Sequence, residues 1–106
     1  MPALRWEDAV TVLEGWEGRD VVVVPFLAPG ISLEPTVAPL VLERAGTGVV
    51  RIDLPTMPIA LRRSTFIEAG WVPGQDERGL SVVQGGVRVD VFLDREVEDE
   101  DLYAAG

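Results

Sequence analysis

Apolar residues recur at Trp6, Ala9, Val10, Leu13 and Trp16, with Glu7, Asp8, Thr11 and Glu14 between them. Steps of three and four place those side chains on one face of a helix. Pro2 and the Glu7-Asp8 pair suit its start, where the helix dipole favours negative charge, and Gly15 and Gly18 suit its end. The stripe is broad and carries two Trp, which predicts a helix lying on the body of a domain. From Arg19 onward the period changes. Val21, Val22, Val23, Val24 and Phe26 form a β-branched run too short and too apolar for an amphipathic helix. They predict a central strand buried on both faces, with a bend, bulge or strand end at Pro25. Pro29, Gly30 and Pro35 predict a loop.

Two alternating runs follow. Leu40 and Leu42 alternate with Val41 and Glu43, and Val50, Ile52 and Leu54 alternate with Arg51 and Asp53, across Ala45-Gly46-Thr47-Gly48. This is the pattern of a hairpin with a short Gly-rich turn. A turn from Pro55 to Pro58 leads to a further strand, Ile59 to Arg63. Ser64 to Gly70 stays open, one reading being a single helical turn of Thr65 to Ala69 capped by Ser64 and ended by Gly70. Leu80 to Gln84, then Gly85-Gly86, then the alternating Val87, Val89, Val91 and Leu93 predict a hairpin with a two-residue primed turn. Beyond Leu93 the period is lost and charge accumulates. The expected organisation is one domain over 1–93 and a solvated acidic tail over 94–106.

One helix followed by five or six short strands, with no strand–helix alternation, predicts a mainly β fold. A small, strongly bent antiparallel barrel plugged by the N-terminal helix satisfies that order. The chain resembles the Sm-like small-barrel family, a close relative in shape of SH3-like barrels. The resemblance lies in the Trp6 to Trp16 helix, the Leu13-x-x-Trp16-x-Gly18-x-x-Val21-x-Val23 entry into the first strand, and the hairpins that follow. It implies an N-terminal helix, five bent strands and ring assembly. Members of that family bind RNA through a polar pair and an Ile-Arg-Gly or Lys-Gly segment. The closest stretch here, Ile67-Glu68-Ala69-Gly70, has Glu where a cation belongs, so the architecture carries over and the RNA site does not. Trp16-Glu17-Gly18 is similar to the Trp-x-Gly triplet of small secreted helical hairpins, but those need two long helices and this chain is strand-rich.

Composition narrows the chemistry. The 106 residues include no Cys, His, Lys or Asn, and all nine basic residues are Arg. Such usage fits codon bias in a high-GC bacterial genome, and it removes the neutral-pH base, the thiolate and the amine nucleophile together. Ser32, Ser64 and Ser81 have no ordinary base to activate them, so a catalytic triad is excluded and a non-enzyme is expected. The net charge is −9, of which residues 1–93 carry −4 and Asp94 to Asp101 carry −5. An acidic body repels phosphate backbones, which disfavours nucleic acid and anionic membranes as partners. No long apolar run is present, and a cytoplasmic protein is expected.

Arg62 and Arg63 beside Ser64 and Thr65 form the one cationic cluster with hydroxyls, a candidate anion site at which only one of two adjacent strand residues can serve. Asp53 and Asp90 are candidate paired carboxylates, though each reads more simply as an outward strand residue matched by Arg51 or Arg88. The tail carboxylates lack the ligand spacing and Gly of a calcium loop, and neither a metal nor a cofactor is expected. Trp71, at the end of an element, and Leu102 and Tyr103 in the tail are candidate partner contacts. The expected function is that of a small, non-catalytic interaction module that self-associates, because apolar residues make up 47% of so small a chain and strand edges are left unpaired. The alternatives are an acidic inhibitor or immunity-type protein whose tail occupies a basic partner, and a small-ligand binder using the Arg62/Arg63 region.

Overall fold

The first helix begins where Asp8 can reach back to the chain before it. In a computed structural model, which describes residues 3–28, 31–44, 46–55 and 57–93, α1 spans Trp6–Trp16. The Asp8 carboxylate accepts the Arg5 backbone N–H at 3.1 Å, the reach-back half of a capping box. That hydrogen bond, with the Arg5 side chain beside it, holds the Asp8 carboxyl below the usual carboxylate range. Its support for the helix is therefore present at neutral pH and is lost as acid protonates the group. Trp6, Ala9, Leu13 and Trp16 are buried along one face. Gly15 lies inside the helix rather than ending it; the chain turns away at Gly18, whose φ of +87° only glycine adopts readily.

Nine strands follow: β1 (Asp20–Ala28), β2 (Ile31–Ser32), β3 (Thr36–Pro39), β4 (Val41–Arg44), β5 (Val49–Asp53), β6 (Ile59–Arg62), β7 (Phe66–Trp71), β8 (Gly79–Gln84) and β9 (Val87–Leu93). Short 3₁₀ turns at Arg63–Thr65 and Asp76–Arg78 precede β7 and β8. The larger sheet has the order β2-β1-β9-β8-β7, with β3 also on β1, and the smaller has the order β4-β5-β6. All pairings between these strands are antiparallel. The fold is thus mainly β with one α-helix, as expected. It has nine short strands rather than five or six, and among the described residues neither sheet closes on itself.

The extra strands arise because the chain bends from sheet to sheet. β3 runs into β4 at Leu40, which is fully buried. The Gly18 N–H donates to the Leu40 carbonyl and the Leu40 N–H to the Arg19 carbonyl, each at 2.8 Å, so the bend is fastened to the exit of α1. β6 runs into β7 through the first 3₁₀ turn. There the Arg63 N–H donates to the Gly48 carbonyl at 2.8 Å and the Gly85 N–H to the Thr65 carbonyl at 3.1 Å. One side chain joins the sheets at the same place. The Gln84 amide, on β8, donates through Nε2 to the Ala60 carbonyl at 2.7 Å and accepts the Arg62 N–H through Oε1 at 2.9 Å. Gln84 thereby takes the place of a neighbouring strand for β6.

One stretch the sequence left open takes a definite form, and two expectations are corrected. Only Arg63–Thr65 turns helically after β6, while Phe66 to Trp71, with Gly70 inside it, is a strand, because β8 and Leu4, whose N–H donates to the Ala69 carbonyl at 2.8 Å, supply its pairings. β1 is buried on one face only: Val21, Val23 and Pro25 point inward, and Val22, Val24 and Phe26 are half-buried on an outer face that no second layer of described residues covers. β2 falls within the stretch read as a loop. The hairpin at Gly85-Gly86 is present, with φ of +38° and +81° as a primed turn demands.

The core is a single cluster. α1 contributes the four residues named above, the larger sheet contributes Val21, Val23, Ala69, Leu80, Val82, Val89, Val91 and Leu93, and Leu40, Val50, Ile52 and Leu61 enclose it from the other side. Trp6 meets the Phe66 ring edge-on, with centroids 5.8 Å apart, a favoured aromatic geometry.

Candidate functional site

Alternation along β6 and the 3₁₀ turn after it separates the members of the Arg62/Arg63/Ser64 cluster. Arg62 is exposed at the end of β6, and its backbone N–H is taken by Gln84. Arg63 and Ser64 line a shallow cavity of about 410 Å³ with Trp6, Glu7, Thr47, Gly48 and Val49. The Arg63 guanidinium lies 3.0 Å from the Glu7 carboxylate. An anion entering here would compete with Glu7 for Arg63, and Arg62 does not line the cavity.

The two candidate carboxylates are not brought together. In β5, Val50 and Ile52 point into the core, which places Asp53 on the outer face of the smaller sheet. There Arg51 bridges Asp53, at 2.8 Å, and Glu43 on β4. These contacts, the Asp53 hydrogen bond first, hold the Arg51 guanidinium still more firmly protonated. Asp90 lies on the outer face of the larger sheet, with the core between it and Asp53, so the pair cannot share a substrate as acid and base.

Asp90 itself differs from the outward, solvated residue its alternation suggests. It does face away from Val89 and Val91, and its Oδ1 is 3.4 Å from Arg88 Nε, yet its side chain is only 9% exposed. The Oδ1 atom is buried and accepts no hydrogen bond from the protein. The Arg88 guanidinium is instead held over the Phe26 ring, 4.0 Å from its centroid. The register of the sheet explains the space beside it. Asp90 sits between Val24 on β1 and Ser81 on β8, with Gly70 one strand further on, so a row of small or short side chains runs beside it. The result is a cavity of about 400 Å³ whose lining includes Glu68, Gly70, Trp71, Ser81, Arg88 and Asp90. Trp71 is half-buried, whereas Trp6 and Trp16 are buried. Sequence reasoning singled out Trp71 but not the hollow; the available signal was a glycine in register with an outward Asp and an outward Ser.

A third feature lies on the opposite edge of the larger sheet. Along the continuous chain of β3 and β4, Ala38 and Leu40 are buried and Leu42 half-buried, while Val37, Pro39 and Val41 are exposed on the other side. Val37 is 60% exposed and Val41 49%, and Leu27 and Ile31, at the β1–β2 end, are exposed to a similar degree. β3 and β4 are edge strands of their sheets. Leu102 and Tyr103, and the tail expected over 94–106, lie outside the described residues. Among the described residues no group of three or more His, Cys, Asp or Glu is placed to hold a metal ion, and no helix is long and apolar enough to cross a membrane. No family model matches the sequence, and no curated protein or solved structure shows significant similarity to it.

Proposed function

We propose that this protein is a small, non-catalytic interaction module that self-associates through the outward side of β3 and β4. The observation that carries this reading is the apolar strip of Val37, Pro39 and Val41 on an edge chain, with Leu27 and Ile31 also exposed at the β1–β2 end. Scattered apolar residues are ordinary on a surface, but Val37, Pro39 and Val41 are alternate residues of one edge chain that passes from β3 of the larger sheet to β4 of the smaller. A second copy is the occupant that fits best. The strip's own side chains are uncharged, and of the carboxylates in register with it, Asp20 beside Pro39 and Asp53 beside Val41, the second is already paired with Arg51. Pro39 offers no N–H, which favours packing of side-chain faces over extension of the hydrogen-bonded ladder. The way β3 bends into β4, and β6 into β7 through a 3₁₀ turn, supports a small-barrel reading of the architecture, Sm-like or SH3-like in order of elements.

The test is a variant carrying Val37→Lys and Val41→Lys, compared with the native chain by sedimentation velocity over a range of concentrations. Both positions are solvent-facing, so the variant retains its circular dichroism spectrum and melting behaviour. The native protein sediments as an oligomer and the variant as a monomer. A native chain that stays monomeric at high concentration, or a variant that associates as the native chain does, overturns the proposal.

A further inference from the structure

We infer that a second copy of the chain covers the outer face of the larger sheet, the two sheets packing face to face about a two-fold axis. The inference rests on self-association, and it assigns the surface and the geometry by which the copies meet.

An antiparallel sheet with one face in water ordinarily carries polar residues on that face. This sheet does not. The register sets Val37, Val22 and Phe92 in one row across β3, β1 and β9, and Val24, Phe26 and Val83 lie on the same outward side. All of these but Val37 are half-buried, with no second layer of described residues above them. Val37 and Pro39 are thus the rim of a wider apolar face. From Asp20 to Phe26 that face runs about 20 Å along the strands, and from β3 to β7 it is about 24 Å across, or roughly 500 Å² on each copy. Two copies bury about 1,000 Å² between them, the size that a specific interface needs.

Shape and charge are both self-complementary about one axis. The Phe92 ring covers Gly79, where a Cβ would come within 2.9 Å of it, and in the next row Ser81 and Gly70 leave the hollow of about 400 Å³. An axis running across the strands, midway between the Phe92 row and the Asp90 row, sets each Phe92 ring against the Ser81–Gly70 hollow of the other copy. The same rotation brings the Asp20 end of one β1 to the Phe26 end of the other. Arg88, which is stacked on Phe26 and has a side chain 48% exposed, then meets the partner's Asp20. Opposite charges at opposite ends of the face therefore select an antiparallel pair of copies.

The test is solvent relaxation enhancement by a neutral gadolinium chelate on the methyl-labelled full chain, concentrated and dilute, beside sedimentation velocity. In concentrated protein the Val22, Val24 and Val83 methyls and the Phe92 ring are shielded, and on dilution they become accessible, while Met57, exposed ahead of β6, is accessible throughout. Val24→Lys leaves Val37 and Val41 in place and weakens association by about thirtyfold or more, the effect of losing a central apolar contact. Should that variant fail to fold, the shielding of the native chain decides alone. A native chain that is monomeric at every concentration ends the self-association reading and this inference together. An oligomer whose Val24 and Phe92 stay accessible, or which Val24→Lys leaves intact, overturns this inference alone. Shielding that persists on full dilution does the same, because the face is then covered within one chain.

Discussion

Leu13→Ala lowers the free energy of unfolding by about 2–5 kcal/mol, the range for truncating a fully buried leucine. Leu13 has no solvent exposure and belongs to the cluster that holds α1, both sheets and the Leu40 bend together. The loss combines the apolar area no longer buried with a cavity that the strands can close only partly, since β8 is fixed by pairings on both its edges. In a domain of this size it corresponds to a fall in melting temperature of about 10–25 °C. Chemical denaturation with an unchanged m-value is the measurement. A cost below about 1 kcal/mol would mean that α1 is peripheral to the core.

The second large effect lies at the seam between the sheets. Gln84→Ala removes a donor to the Ala60 carbonyl and an acceptor for the Arg62 N–H at once. The expected cost is about 1–3 kcal/mol, the sum of two modest hydrogen bonds. Gln84→Glu tests the geometry more sharply. The carboxylate still accepts from Arg62 but faces the Ala60 carbonyl oxygen with no hydrogen to offer, so near neutral pH it destabilises. Protonation restores a donor, and the deficit relative to the native chain measured at the same pH narrows as acid is added. A deficit independent of pH would show that the amide does not bridge the sheets.

What could be read in the sequence was whatever depended on local period. The stripe from Trp6 to Trp16, the alternation from Val49 to Asp53 and the Gly85-Gly86 turn each carry their structure within about a dozen residues, because helix and strand periods differ and a primed turn demands glycine. What could not be read depended on partners far along the chain. Phe66 to Trp71 contains a helix-compatible stretch, yet β8 and Leu4 pair it as a strand. β1 has the all-apolar look of a doubly covered strand, yet nothing described covers its outer face. The candidate sites divide in the same way. The pairing of Asp53 with Arg51 follows from adjacency on one strand face, whereas the hollow beside Asp90 follows from a register that sets Ser81 and Gly70 next to it. The Val37-Pro39-Val41 strip was hidden because Pro35, read as loop, proves to flank the edge strand Thr36–Pro39.

Self-association through that strip is the central claim, and it is tested most directly by isotope-filtered nuclear Overhauser spectroscopy on an equal mixture of labelled and unlabelled protein at high concentration. The account predicts cross-peaks between copies at the methyl groups of Val37 and Val41, with neighbours at Leu27 or Ile31, that vanish in the Val37→Lys, Val41→Lys variant. A concentrated sample with no cross-peaks between copies, or one in which they map only to the Trp71 edge, would contradict it.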